Sequence, residues 1–481
     1  MDATASTPAF PAIDAVLAAF DGPWLGLAWA GYVAVLAAWI VRQRREPMAT
    51  LAWLLGLAWL PVLGWAVYWW LGPQRIQRSK LKRLRARLAL AEARLPPCGD
   101  ASEAGQERLV EASTGHAPTT ATRLDLLTGG ELTYKALFDA VALARRSIHL
   151  EYYIYEPDSV GTRLRDLLAA KARDGVEVRL LLDGLGSRRC SPKFLQPLLA
   201  AGGEVGWFHP LKLGHLLWRP TLNLRTHRKI AVIDGVVGFT GGVNISDTQS
   251  ERVSAAAYHD LHLALEGEIV RALQLAFAED WHYATGAKLV DAAYWPTPRR
   301  GPVRCQLVPS GPDNPLAPIH RLTVEVLHNA KRRVWMMTPY FVPDAPVLLA
   351  LTNAALSGLD VRLLVPRVND NRLVRAAARS FYPELLAAGV RVFEFQPRML
   401  HGKALLVDDE IALIGSANVD PRSFFLNFEL SVLARDAGVA AALAARVEGD
   451  LALSTEVPRG WRPRGLQAYL DSAARLLAPV L

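Results

Sequence analysis

The chain has 481 residues, enough for two or three domains that each bury a core of their own. Its formal net charge of +8 and pI near 9.4 favour an anionic partner, and either nucleic acid or acidic lipid satisfies that balance until the distribution of charge is considered. Three scattered cysteines, Cys98, Cys190 and Cys305, with no C-x-x-C or His-rich setting, exclude a disulfide framework and a zinc site.

Residues 1–20 carry acids but no Lys or Arg, so the positive head of a cleavable signal is missing and the N-terminal segment, 1–23, is expected to stay attached. Residues 24–71 read as a membrane region. Trp24 to Val41 and Met48 to Leu71 are uncharged and mostly apolar, and at 1.5 Å per residue each reaches across a hydrocarbon core of about 30 Å. Eight of the fourteen tryptophans lie here, with Trp24, Trp69 and Trp70 at the ends where an interface would fall. A buried apolar hairpin in a soluble domain is the alternative. Arg75 to Arg87 then places seven basic residues and no acid immediately after the second span. This is either a solvated helix face or a juxtamembrane strip for anionic headgroups. The positive-inside rule puts that strip, and all that follows, in the cytoplasm, although Arg42, Arg44 and Arg45 between the spans argue the other way. The composition from Leu95 to about Thr122 predicts a linker, so residues 72–119 are expected to hold the basic stretch and a tether.

Beyond the linker the chain repeats itself. Ser147 to Tyr155 answers to Arg333 to Phe341 as a strand. Helical patterns follow at Gly161 to Arg173 and Ala345 to Ser357, then apolar strands at Val176 to Leu182 and Val361 to Val365. Leu198-Leu-Ala-Ala-Gly202 leads into Val205 to Phe208, as Leu385-Leu-Ala-Ala-Gly389 leads into Val390 to Phe395. Strands alternating with helices predict an α/β fold with a buried mixed sheet flanked by helices, in two similar lobes at about 120–297 and 298–481. The first lobe carries an insertion, Leu211 to Thr226, which is either a core-packing loop or an acyl-contacting lip. Near the C-terminus Leu466, Tyr469, Leu470, Ala473 and Leu477 recur at helical spacing, which predicts an apolar face docked on the second lobe, with membrane contact as the other reading.

The chemistry sits in a doubled element. Thr226-His227-Arg228-Lys229 heads the run Ile230 to Asp234, and His401-Gly402-Lys403 heads Ala404 to Asp408. On an extended chain of period two, His and Lys share a face while the Asp falls at odd parity. A second apolar run follows each Asp and predicts a hairpin. Gly241-Gly242-Val243-Asn244 or Gly415-Ser416-Ala417-Asn418 comes next, each Asn seventeen residues after its His.

At these residues the sequence resembles the phospholipase D superfamily and, within it, the bacterial cardiolipin synthases. The resemblance extends from Arg45-Glu46-Pro47 and Leu60-Pro61-Val62-Leu63-Gly64 to Asn418-Val419-Asp420-Pro421-Arg422-Ser423 and Asn427-Phe428-Glu429, nearly the whole chain. It implies two phospholipase D-like lobes preceded by two transmembrane helices, with the His-Lys elements facing each other across a pseudo-twofold axis.

A phosphodiester needs a nucleophile, an acid for the departing alkoxide and positive charge around its nonbridging oxygens, and two His-Lys-Asn sets supply all three. One imidazole attacks phosphorus and the other moves protons. Lys229, Lys403, Asn244, Asn418 and the Ser416 hydroxyl are expected to hold the phosphoryl oxygens. The family's usual division makes His227 the nucleophile and His401 the acid and base. Asp234 and Asp408 belong to the repeated catalytic element, while their parity points instead to tying the hairpin backbone. The resemblance assigns Glu429 to orient His401. It assigns Asp260, in Tyr258-His259-Asp260-Leu261-His262 where the family has Trp-Arg-Asp-x-His, to orient His227. It further implies phosphatidyl transfer from one phosphatidylglycerol to another with release of glycerol, through a phosphohistidine and with no metal or other cofactor. The expected partners are anionic phospholipids and the bacterial inner membrane rather than nucleic acid, and the oligomeric state stays open. A membrane phospholipase D that delivers the group to water, or a phosphatidyltransferase with another acceptor, is the alternative.

Overall fold

The computed structural model describes residues 23–42, 47–59, 64, 68, 100–210 and 224–477. Most of the N-terminal segment, the basic run at 75–87 and most of the insertion after 210 therefore lie outside the described residues, as does most of the second expected span beyond Trp59. The chain divides into two compact units, 1–75 and 76–481.

In the first unit, helices Pro23–Val41 and Pro47–Trp59 pack on each other, Trp29 Nε1 donating to Ala58 O at 3.2 Å. Tyr68 meets Trp39 and Trp53 edge-on with ring centroids at 5.6 and 5.0 Å. Among the described residues Ile40, Leu57 and Tyr68 form its buried cluster, whereas Val35 and Trp59 are 71% and 84% exposed. Among the described residues no helix is long and apolar enough to cross a membrane. The thirteen-residue second helix rises only about 20 Å.

In the second unit the first half contributes strands β1 (Thr119–Thr128), β2 (Ser147–Tyr152), β3 (Glu177–Asp183), β4 (Glu204–Phe208), β5 (Ile230–Ile233), β6 (Val237–Gly241) and β7 (Leu261–Gly267). The second half contributes β8 (Val303–Ser310), β9 (Arg333–Met337), β10 (Asp360–Pro366), β11 (Arg391–Phe395), β12 (Ala404–Val407), β13 (Ile411–Gly415) and β14 (Glu429–Arg435), and β15 (Ser454–Glu456) closes one edge. All fifteen lie in one sheet, ordered β15-β11-β10-β9-β12-β13-β14-β8-β1-β7-β6-β5-β2-β3-β4. Read outward from the antiparallel β1–β8 contact, the two halves present the same sequence of strands, which is the topological form of the repeat. In the first half β2, β3 and β4 run parallel, as β9, β10 and β11 do in the second, where β15 adds an antiparallel edge, and in each half the hairpin pairs antiparallel.

The β5 segment Ile-Ala-Val-Ile and its counterpart Ala404–Val407 are buried along their whole length, because helices cover both faces of the sheet and leave no polar side for alternation. Helix Glu268–Thr285 seals one face of the first half, and helix Ala437–Ala452 contacts β13 and β14 in the second.

Two expectations need correction here. Half of the predicted linker is folded: helix Gly105–Thr114 packs against helix Pro318–His328, with Val110 fully buried. Its Glu107 accepts from Arg304 Nε at 2.6 Å, and these bonds hold the carboxyl down to about 2 against the upward push of burial. The C-terminal helix Leu466–Leu476 does dock on helix Arg372–Ala388, but through Asp471 and Ala474, not through the apolar stripe.

Candidate active site

His227 and His401 do not lie within β5 and β12. Both occupy the extended lead-in before the strand, where the chain bridges to the opposite half instead of to its sheet neighbour. Thr226 forms an isolated bridge with Phe428, and His259 with Leu400. The His227 amide donates to Phe428 O at 2.8 Å, and the His401 amide to His259 O at 2.7 Å. Each bridge leaves the next residue of the partner segment, Glu429 or Asp260, beneath the imidazole.

The acid pairing is therefore crossed relative to the sequence-based assignment. Glu429 serves His227, with Nδ1 to Oε2 at 3.0 Å, and Asp260 serves His401, with Nδ1 to Oδ2 at 2.5 Å. A carboxylate only accepts, so each imidazole keeps its proton on Nδ1 and turns Nε2 outward.

Both histidines line one cavity of about 590 Å³, together with Asn244, Asn418, Gln249, Tyr258, Asp370 and Asn427 among others. Lys229 and Lys403 lie behind them and are almost completely buried. Each ammonium donates to the carbonyl of the histidine two residues earlier, at 2.7 and 2.5 Å. A tyrosine lies against each ring, Tyr153 at 5.0 Å from His227 and Tyr258 at 5.3 Å from His401.

Burial and the neighbouring ammoniums push both imidazoles below their ordinary range, His227 to about 4. Burial likewise lowers Lys229 to about 7 and Lys403 to about 8. For Asp260 burial acts upward, but His401 and Lys403 outweigh it and hold the carboxyl at about 2, and His227 and Lys229 lower Glu429 in the same way. Two carboxylates thus face two ammoniums and two imidazoles in a buried set that is close to neutral before an anion arrives.

The remaining expected residues separate. The carbonyl oxygen of Asn244 accepts from the Ile154 amide at 3.2 Å, which turns its NH2 toward the cavity. Asn418 lines the cavity as well, with its Oδ1 buried and unbonded. Ser416 does not face the cavity. Its hydroxyl donates to Glu429 Oε2 at 2.5 Å and accepts from the Leu430 amide at 3.0 Å, so it braces the acid and is not available to a phosphoryl oxygen. At the matching Gly242 a Cβ would sit 2.0 Å from Asp260 Oδ1, so the glycine makes room for the carboxylate. Asp234 and Asp408 lie at the hairpin turns with φ of +53° and +55°. They accept from the amides of 145–147 and 331–333 and do not line the cavity.

Sequence reasoning overlooked Gln249, whose amide donates to Asp260 Oδ2 at 3.2 Å, and gave no role to Asn427, which donates to Glu429 Oε1 at 3.2 Å. Gln249 has no counterpart spacing in the second half that would have marked it. The departure at His259 is also resolved: its ring stacks on Phe395, with Nε2 2.9 Å from Asp450 and Nδ1 3.0 Å from Arg398. Among the described residues no group of three or more His, Cys, Asp or Glu is placed to hold a metal ion.

A doubled His-Lys pair with an acid behind each imidazole, set at the junction of two repeated halves of one sheet, defines the phospholipase D class. The family model described as "Cardiolipin synthase, PLD-like domain" matches residues 137–281 and 323–451. The chain is 38% identical to a cardiolipin synthase of Alkalihalophilus pseudofirmus, covering 91% of this chain and 90% of that one. It is 40% identical to a cardiolipin synthase of Geobacillus thermodenitrificans, over 83% and 82% of the two chains. It is also similar to cardiolipin synthase 1 of Bacillus anthracis, 36% identical over 95% and 94%. The chain belongs to the phospholipase D-like cardiolipin synthase family. Among solved structures, phosphatidylserine synthase from Haemophilus influenzae shares the fold, with a TM-score of 0.58 at 15% identity, covering 79% of this chain and all of that one.

Proposed function

We propose that the protein is a cardiolipin synthase that joins two phosphatidylglycerols and releases glycerol. The observation that carries this reading is the pair of outward-facing Nε2 atoms on one cavity, each imidazole backed by its own carboxylate, in a chain of this family.

In the first step His227 Nε2 attacks phosphorus and the bond from phosphorus to the glycerol oxygen breaks. His401, which takes a proton from solvent on Nε2 when the phosphodiester anion enters the cavity beside it, gives that proton to the glycerol oxygen and glycerol leaves. In the second step His401 takes the proton from the terminal hydroxyl of another phosphatidylglycerol. The alkoxide attacks phosphorus, the N–P bond breaks, and cardiolipin departs with His227 restored. The lowered basicity of His227 supports its role, since a neutral imidazole offers the lone pair the attack requires. Lys229, Lys403 and the Asn244 NH2 supply positive charge and donors for the nonbridging oxygens.

The first unit is the membrane region of this reading, with spans near 24–41 and 48–71 in a bacterial inner membrane and the catalytic lobes, about 120–297 and 298–481, in the cytoplasm. The exposed apolar exteriors of its two helices support residence in lipid. Purified full-length protein given phosphatidylglycerol alone, in the presence of chelator, is expected to yield cardiolipin and glycerol in equal amounts. Phosphatidic acid as the main product would make it a phospholipase D instead, and dependence on a divalent ion or a nucleotide-activated donor would refute the mechanism.

A further inference from the structure

The C-terminal helix Leu466–Leu476 is amphipathic in an inverted sense. Its inward side carries Asp471, fully buried and bonded to Gln467 at 2.6 Å, together with Ala474. At 100° per residue, Leu466, Tyr469, Leu470, Ala473, Leu476 and Leu477 fall within an arc of about 120°. All six are exposed, Tyr469 to 77% and Leu476 to 81%. An apolar stripe of this width turned to water marks a contact surface.

Three features identify what covers it. Asp471 faces Arg375 and Arg379, while Arg475 lies over the Phe381 ring at 4.1 Å and approaches Glu384 at 3.6 Å. The two helices therefore run in the same direction, and Leu466 lies toward the end of helix Arg372–Ala388 whose flank, Asp370, Asn371 and Val374, lines the active-site cavity. Beside that flank, Val368 and Leu373 are themselves exposed apolar residues. The approach to the C-terminal helix carries Arg459, Arg462 and Arg464, all exposed. A second copy paired symmetrically across the stripe would bring these arginines toward their own kind, whereas an anionic bilayer satisfies both the charge and the stripe.

We infer that the C-terminal helix lies in the surface of an anionic membrane with its apolar stripe submerged, holding the cavity mouth against the lipid from which substrate is drawn. This rests on the reading of the protein as a lipid phosphatidyltransferase, but its test does not depend on turnover.

A nitroxide is placed at Leu470→Cys in the full-length chain with Cys98→Ser, since Cys190 and Cys305 are buried. The protein is reconstituted in vesicles of phosphatidylcholine and phosphatidylglycerol. Collision with oxygen is expected to exceed collision with a water-soluble nickel chelate. A label open to the chelate overturns the inference, and so does one shielded from both, which would mark a protein contact such as a second copy. As a second measure, Leu470→Glu with Leu477→Glu is expected to slow turnover of phosphatidylglycerol in vesicles about tenfold, with turnover of monomeric short-chain phosphatidylglycerol within about twofold. Equal turnover on both substrates, or an equal fall on both, overturns it.

Discussion

Replacing each acid by its amide distinguishes the two halves of the site, because the two carboxylates are solvated by different donors. In Glu429, Oε2 accepts from His227 Nδ1 and the Ser416 hydroxyl, and Oε1 accepts from the side-chain amide of Asn427. In Glu429→Gln the new NH2 can take the Oε1 position, since Asn427 can rotate to offer its otherwise unbonded Oδ1. The His227 tautomer survives and only the stabilising charge is lost. In Asp260, Oδ1 accepts from the Leu261 backbone amide at 2.8 Å, which cannot rotate, and Oδ2 accepts from His401 and Gln249. The Gln249 contact is the longer of these, at 3.2 Å, and belongs to a side chain that can move aside where the backbone amide cannot. The NH2 of Asp260→Asn must therefore face His401 Nδ1, which drives the ring proton to Nε2 and removes the general base. Loss of charge alone is expected to cost about 10²-fold in turnover, and a wrong tautomer about 10⁴-fold. The assay is glycerol release from phosphatidylglycerol in mixed micelles, with melting curves to confirm that both variants fold. Formation of the covalent intermediate from a p-nitrophenyl phosphodiester lipid, whose leaving group needs no proton, should be rescued in Asp260→Asn and not in Glu429→Gln. A Glu429→Gln loss equal to or larger than that of Asp260→Asn would refute the argument, and rescue of Glu429→Gln alone would exchange the roles of the two histidines.

Gly242→Ser is expected to lower turnover by at least about 10²-fold, because its Cβ would displace the Asp260 carboxylate, whereas Ser416→Gly should cost about tenfold for one lost bond to a charged acceptor. Micellar turnover measured beside thermal melts checks both. Asp234→Ala and Asp408→Ala each remove the acceptor for backbone amides at a left-handed turn position, and should lower unfolding free energy by about 1–3 kcal/mol while the folded fraction keeps its activity to within about twofold. Urea titration followed by activity of the folded fraction is the check, and a large loss of turnover without loss of stability would make these residues catalytic. With Lys229 lowered to about 7 and Lys403 to about 8, a share of their protons is absent at pH 8. An anion in the cavity favours the charged forms, so sulfate binding at pH 8 should take protons up. The binding enthalpy should then change with the ionisation enthalpy of the buffer, and Lys229→Arg, which stays charged, should reduce the uptake.

The doubled His-x-Lys element and the alternation of strand with helix around it were legible because both are local and repeat within each half. The choice of acid for each histidine was not. Crossed and uncrossed pairings are equally symmetric in sequence, and what decides between them is a pair of isolated bridges, Thr226 to Phe428 and His259 to Leu400, that leave no periodic trace. The difference between Gly242 and Ser416 was visible as a difference between the halves, but its cause, the space required by Asp260 Oδ1, depends on a residue brought in by the fold. Composition misjudged the segment before β1 for a similar reason. Helix Gly105–Thr114 is held by Arg304 and Arg435, 197 and 328 residues away from Glu107. At the C-terminus the helical period was read correctly, but periodicity cannot show which side faces the protein when a buried Asp471 sits opposite an exposed leucine stripe.

The crossed pairing also explains why a repeated chain forms one sheet and not two separable domains. Had each histidine taken an acid from its own half, a shift of one half against the other would leave both dyads intact and merely misdirected. With Glu429 behind His227 and Asp260 behind His401, the same shift breaks both Nδ1 bonds and parts each ammonium from the carboxylate that stabilises it most, Lys229 from Glu429 and Lys403 from Asp260. A buried lysine that loses that carboxylate holds its proton less tightly, and with it the charge needed to hold a phosphodiester. Alignment of the halves and electrostatic readiness of the site are thus one condition. The direct β1–β8 contact spans only Thr119 to Ala121 against Val303 to Cys305, so it is too short to impose that alignment by itself. The two bridges, the two dyads, the Arg228 bonds to Glu429 O and Ser310 O, and a core that mixes Leu261 and Leu263 with Leu400, Phe428 and Leu430 complete it, so the residues that perform the chemistry are among those that join the halves.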